Sequence, residues 1–124
     1  MDSQTIVAPM TPSGVSAVAA LRVSGPKVRE VVRALFGEKR AAALEPRMAN
    51  LGSARDPQSG KLIDSLLYIF FEGPNSYTGE DVLELYPHGN PLIVRDLLQA
   101  IRGSDHLGTL QGMDNDIRGL AYFQ

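Results

Sequence analysis

Two charges and one loop are the parts of this sequence most able to do chemistry. Arg22 stands in SAVAALRVS (16–24) and Glu84 in DVLELYP (81–87), each among apolar neighbours. The stretch GPNSYTG (73–79) supplies two glycines, a proline, an amide, two small hydroxyls and the aromatic Tyr77. A charge inside an apolar strand is costly to bury unless a partner or a ligand satisfies it. Three arrangements are open. Arg22 and Glu84 pair with each other, both face a solvated edge, or both meet a polar ligand. The loop also has two readings. Gly, Pro, Asn and Ser are what any turn needs. The same residues let a backbone approach a ligand closely and offer it N–H groups. Tyr77 is least explained by turn chemistry, because an aromatic ring at a loop tip can stack on a flat ligand.

Other chemistries find less support. With no cysteine, disulfides, thiolate metal sites and cysteine nucleophiles are excluded. His88 and His106 are the two histidines, and neither has a carboxylate pattern suited to a metal; His88, beside Gly89, reads as a turn residue. Glu80 and Asp81 are adjacent, so in a strand they point to opposite faces and make a poor acid/base pair. No G-x-x-x-x-G-K-[S/T] stretch is present, and no nucleophile lies beside a base. No catalytic residue and no metal ligand is assigned.

The elements that must position these groups follow from length, punctuation and periodicity. A chain of 124 residues with 44% hydrophobic residues suits one domain with a real core. A net charge of −2 argues against a general polyanion binder and leaves room for a local basic patch. No run approaches the ~18 apolar residues of a membrane span. The start, MDSQTIVAPM, lacks the basic and apolar regions of a secretory signal, so a cytoplasmic protein is expected.

Strands are predicted at 5–9, 16–24, 47–53, 62–72 and 80–87, with 62–72 as the central one because it is the most apolar. Pro26 is placed at the first position of a helix whose stripe is Val28, Val31, Val32, Leu35 and Phe36, stopped by Gly37. Residues 38–46 read as a polar connection and 55–61 as a turn. Asn90 and Pro91 open a second helix, closed by Gly103. The order β-β-α-β-β-β-α predicts an α+β fold, with a mixed or antiparallel sheet of about five strands and two to three helices. Residues 104–124 read as a separate tail, foreign or disordered, with at most a short helix from 114 on.

Beyond these patterns, TIVAPMTPSG and AVAALRVSGP near the start, then GPNSYTGEDVLEL followed by His88-Gly89 and an apolar helix, resemble a known family. It is the N-terminal domain of the tRNA-modifying GTPases called MnmE or TrmE, and the resemblance covers roughly residues 4–102. It implies a domain similar to the folate-binding domains of one-carbon enzymes, one that binds formyl-tetrahydrofolate and mediates homodimerisation. The longer proteins add a helical domain with an inserted GTPase. With a flavoprotein partner they install an aminomethyl-type group on the wobble uridine of certain tRNAs. By the same resemblance, Arg22 would meet a folate carboxylate or ring carbonyl, Glu84 would accept from the pterin amide and amine, and Tyr77 would stack nearby. The alternative within this reading is an assembly module that dimerises without a ligand. Two departures stand out. Gly89-Asn90 replaces the family's Gly-Gly, and after Arg102 its P-G-E-F-x-x-R-A-F motif and following lysine are missing.

Overall fold

The computed structural model describes residues 5–11, 14, 17–76 and 78–103. Five strands form one antiparallel sheet: β1 (Ile6–Pro9), β2 (Leu21–Ser24), β3 (Ala49–Arg55), β4 (Leu62–Phe71) and β5 (Val82–Tyr86), in the spatial order β1-β2-β5-β4-β3. Three helices accompany it: α1 (Val28–Phe36), α2 (Glu38–Ala42) and α3 (Pro91–Arg102). The predicted α+β class stands, and the sheet is antiparallel throughout. Several boundaries differ. β5 is the central strand, and β4 is next to an edge. The early strand shrinks to Leu21–Ser24, with Val18 making only an isolated bridge to His88. Residues 38–42 form a short helix instead of an irregular connection. The helix predicted from 114, His106 and the tail lie outside the described residues.

Period-2 alternation sorts the sheet into two unlike faces. Val7, Leu21, Val23, Leu83, Leu85, Leu66, Tyr68 and Phe70 point to one side, where α1 and α3 close the core with Val31, Val32, Leu35, Leu97 and Ile101. The other side carries Arg22, Glu84, Tyr86, Leu67, Ile69 and Phe71, and among the described residues no helix covers it. Leu51 and Leu67, paired across β3 and β4, are 64% and 47% exposed there.

The helices start for local reasons. The Asn90 side chain accepts from the Leu92 N–H at 2.8 Å, and Pro91 follows at the first position. α1 begins two residues after Pro26, and its Lys27 N–H is satisfied from outside, by Thr5 Oγ1 at 2.9 Å. The β3–β4 turn is shaped by Asp56, whose Oδ1 accepts from the N–H groups of Gln58 and Ser59.

The end of α1 is locked to the sheet by Phe36, which stacks on Tyr68 with ring centroids 4.2 Å apart. Gly52 lies beneath that stack. A Cβ at position 52 would stand 2.9 Å from the Tyr68 ring and 3.0 Å from Phe36. Tyr68 is fully buried and cannot yield cheaply. Gly52→Ala is therefore expected to lower unfolding free energy by about 1–3 kcal/mol, read as a shifted urea midpoint with an unchanged slope.

Candidate functional site

The site is built on the face without a described helix, at the centre of the sheet, where Ala8, Arg22, Ser24 and Val82 are nonetheless buried. The β2–β5 register sets Arg22 directly opposite Glu84, with Ala8 and Ile69 continuing the row on either side. Arg22 Nη2 donates to Glu84 Oε2 at 3.2 Å, and the two side chains are only 9% and 14% exposed. Of the three arrangements open from sequence, direct pairing is present. Tyr86, two residues along β5 on the same face, donates its hydroxyl to Glu84 Oε1. Its phenol is pushed up to about 12, first by burial, then by that hydrogen bond and the Glu84 charge, with Arg22 opposing. Tyr86 was not singled out by sequence reasoning; its i+2 spacing from Glu84 was the available signal.

The loop between β4 and β5 returns beside this row, at the Ser24 end of β2. At its neck, the Gly73 N–H donates to Asp81 Oδ1 at 3.0 Å. Gly73 packs so closely on the returning chain that a Cβ would fall 2.7 Å from the Gly79 carbonyl oxygen. Ser76 Oγ donates to the Glu80 carbonyl, and Gly79 turns the chain with φ of 83°. The loop is then tied to the sheet face by Ser24, whose Oγ lies 2.7 Å from Thr78 Oγ1 and 3.3 Å from Glu80 Oε1. Ser24 is two residues from Arg22 on the same face, so the loop is anchored beside the ion pair. Glu80 and Asp81 are thus anchors of the loop. Tyr77 lies outside the described residues.

His88 gains a partner that sequence reasoning did not give it. Its Nδ1 lies 3.0 Å from Asp64 Oδ1, and its backbone N–H donates to Asp64 Oδ2 at 2.9 Å. Asp64 is 10% exposed on its side chain and the histidine 70%, so the carboxylate fixes the ring from within. An acid inside the apolar run LIDSLL is the same kind of signal that marked Glu84. Among the described residues, no group of three or more His, Asp or Glu could hold a metal ion.

An antiparallel sheet with helices on one side and a sunken charged cluster on the other defines the class: an α+β domain with a five-stranded sheet. Comparison with known proteins gives the family. Residues 5–112 match the family described as "GTP-binding protein TrmE N-terminus". The chain is 45% identical over 97 residues to the tRNA modification GTPase MnmE of Actinobacillus pleuropneumoniae serotype 5b, covering 78% of this chain and 20% of that protein. It is 43% identical over 110 residues to MnmE of Parvibaculum lavamentivorans, covering 89% and 23%. It is 42% identical over 100 residues to the mitochondrial tRNA modification GTPase mss1 of Schizosaccharomyces pombe, covering 81% and 19%. The chain belongs to the TrmE N-terminal family and corresponds to its non-catalytic N-terminal region. It spans about a fifth of the length of these relatives.

Two outcomes follow from the cluster. Removing one partner leaves the other charge sunken and unpaired, so Arg22→Met or Glu84→Leu alone is expected to destabilise by on the order of 3 kcal/mol. The double replacement is expected to recover most of that loss, which a denaturation double-mutant cycle measures. Tyr86 is neutral in the folded state up to a higher pH than in the unfolded chain. Its contribution to stability is therefore complete below pH 10 and disappears as pH rises toward 12. The tyrosinate absorbance of wild type minus that of Tyr86→Phe should show this late titration.

Proposed function

We propose that this chain is a formyl-tetrahydrofolate-binding and self-associating module of a tRNA wobble-uridine modification GTPase. The observation that carries this reading is the Arg22–Glu84–Tyr86 cluster, beside a loop tied to Ser24, on a sheet face that no described helix covers. The donor and acceptor chemistry fits a pterin. Each Glu84 oxygen accepts one bond inside the protein and keeps a second lone pair for the N–H groups of a pterin amide and amine. Arg22 is already aimed along the same row and can share its guanidinium with a ring carbonyl or a carboxylate. Tyr77 and the loop around it would close the pocket wall. When bound, the folate supplies the one-carbon unit. The protein's own residues orient the ring and keep water from it.

Self-association is supported by the same face. Leu51 and Leu67 are exposed beside the half-buried Ile69 and Phe71, an apolar strip suited to a second copy of itself. In this reading the module works in the cytoplasm, within a longer protein that acts on tRNA with a flavoprotein partner. The second reading, assembly without a ligand, is favoured by the internal satisfaction of Glu84 by Arg22 and Tyr86.

Calorimetric titration with formyl-tetrahydrofolate separates the two. Wild type is expected to bind, and the stable Arg22→Met/Glu84→Leu double variant to lose binding altogether. Failure of the wild type to bind, while light scattering still reports a dimer, would leave the assembly reading. A wild type that is monomeric at high micromolar concentration would remove the self-association half. Leu67→Asp is expected to shift a dimer to monomer while leaving far-ultraviolet dichroism unchanged.

A further inference from the structure

Three arginines line one groove of about 430 Å³ at the outer edge of β3. The corner between α1 and α2 contributes Arg33, Phe36 and Arg40, and the end of β3 with its turn contributes Arg55, Asp56 and Pro57. The groove is two strands from β5, outside the Arg22–Glu84 site.

Two of these arginines, Arg40 and Arg55, are held by neutral acceptors. Arg22, Arg29 and Arg95 each lie against a carboxylate. Arg40 instead donates to the Tyr68 hydroxyl at 3.2 Å and to the Leu51 carbonyl at 3.1 Å. Arg55 donates to the Gly60 carbonyl at 3.1 Å. Neutral acceptors fix the direction of a guanidinium without cancelling its charge, and each fork keeps N–H groups for a further anion. Tyr68 is fully buried, so Arg40 is anchored to the core itself. Arg33 is ion-paired through Nε with Glu38 at 2.6 Å, which offsets part of its charge while its two Nη groups can still donate. Asp56 is the one acid lining the groove, and its Oδ1 accepts from the N–H groups of Gln58 and Ser59 in its own turn.

We propose that this groove binds a phosphate group, with Arg40 and Arg55 as the fixed charges and Arg33 completing the recognition. Guanidinium forks match phosphate oxygens in geometry as well as charge. The volume is that of a small-molecule site and exceeds one phosphate, so the group is carried by a larger molecule. Two sources share this chemistry: a free phosphorylated small molecule and the backbone of a nucleic-acid strand.

The test is titration at low salt with inorganic pyrophosphate and, separately, with a short oligouridylate, followed by amide chemical shifts. Arg55→Gln is the working variant because Arg55 is exposed and holds only a turn carbonyl. Arg95→Gln, on α3 and bonded to Asp96, is the control. Pyrophosphate binding is expected to weaken about tenfold in Arg55→Gln and to be unchanged in Arg95→Gln, with shifts centred on residues 33, 40 and 55. Pyrophosphate binding without oligouridylate binding assigns the groove to a free anion. Tighter oligouridylate binding that falls steeply with salt assigns it to a strand. No binding of either probe, or equal weakening in both variants, overturns the proposal.

Discussion

The pairing of Arg22 with Glu84 is the constraint around which the rest of this domain is arranged. Glu84 lies on the central strand with its side chain only 14% exposed, where little water is available to solvate a carboxylate. A charge there is tolerable only if its neighbours supply donors. β2 supplies one across the ladder, and β5 supplies the other from Tyr86. The apolar stripes of α1 and α3 meet the opposite face, where Leu21, Val23, Leu83, Leu85, Tyr68 and Phe70 offer them an apolar surface. The cost of a sunken ion pair is offset by an ordered polar centre on an otherwise apolar surface.

The loop between β4 and β5 is subordinate to that centre. Its composition would serve any turn, yet its bonds run to particular places: Gly73 to Asp81, Ser24 to Thr78, Ser24 to Glu80. Each joins the loop to itself or to the strand that carries Arg22. The two acids of the Gly-Glu-Asp run are consumed in this anchoring. Glycine at 73 is demanded by the carbonyl of Gly79 packed against it. The loop therefore has a fixed form, tied to β2 two residues from Arg22.

Much of this was legible in the sequence, for identifiable reasons. α1 and α3 announce themselves by an apolar stripe at helical spacing with a glycine at the exit, and α3 adds an Asn-Pro entrance. Arg22 and Glu84 stood out because strands seldom carry charges among apolar neighbours. What could not be read was their register, because pairing across 62 residues depends on where β5 lands in the sheet. β4 was misplaced at the centre because it is apolar on both faces. Its outward residues, Leu67, Ile69 and Phe71, face an uncovered side and not a second layer of helix. α2 escaped notice since a five-residue helix with only Ala41 buried has no periodicity to display. Asp64 carried the same warning as Glu84, and its partner His88 was hidden by a separation of 24 residues.

The strand order has a consequence for how the chain assembles. β3, β4 and β5 form a meander of near neighbours, and β1 and β2 form a second local pair. Only the β2–β5 seam joins the two halves, and it must close a loop that contains α1, α2 and both remaining strands. Loop-closure entropy makes that seam the slowest contact to win, and non-local pairings of this kind dominate folding times. A slip of one residue along the seam would set Arg22 opposite Leu83 or Leu85 and leave Arg22 and Glu84 on opposite faces of the sheet. The ion pair thus works as a register mark on that seam: of the ways β2 could lie along β5, the one observed brings the opposite charges face to face.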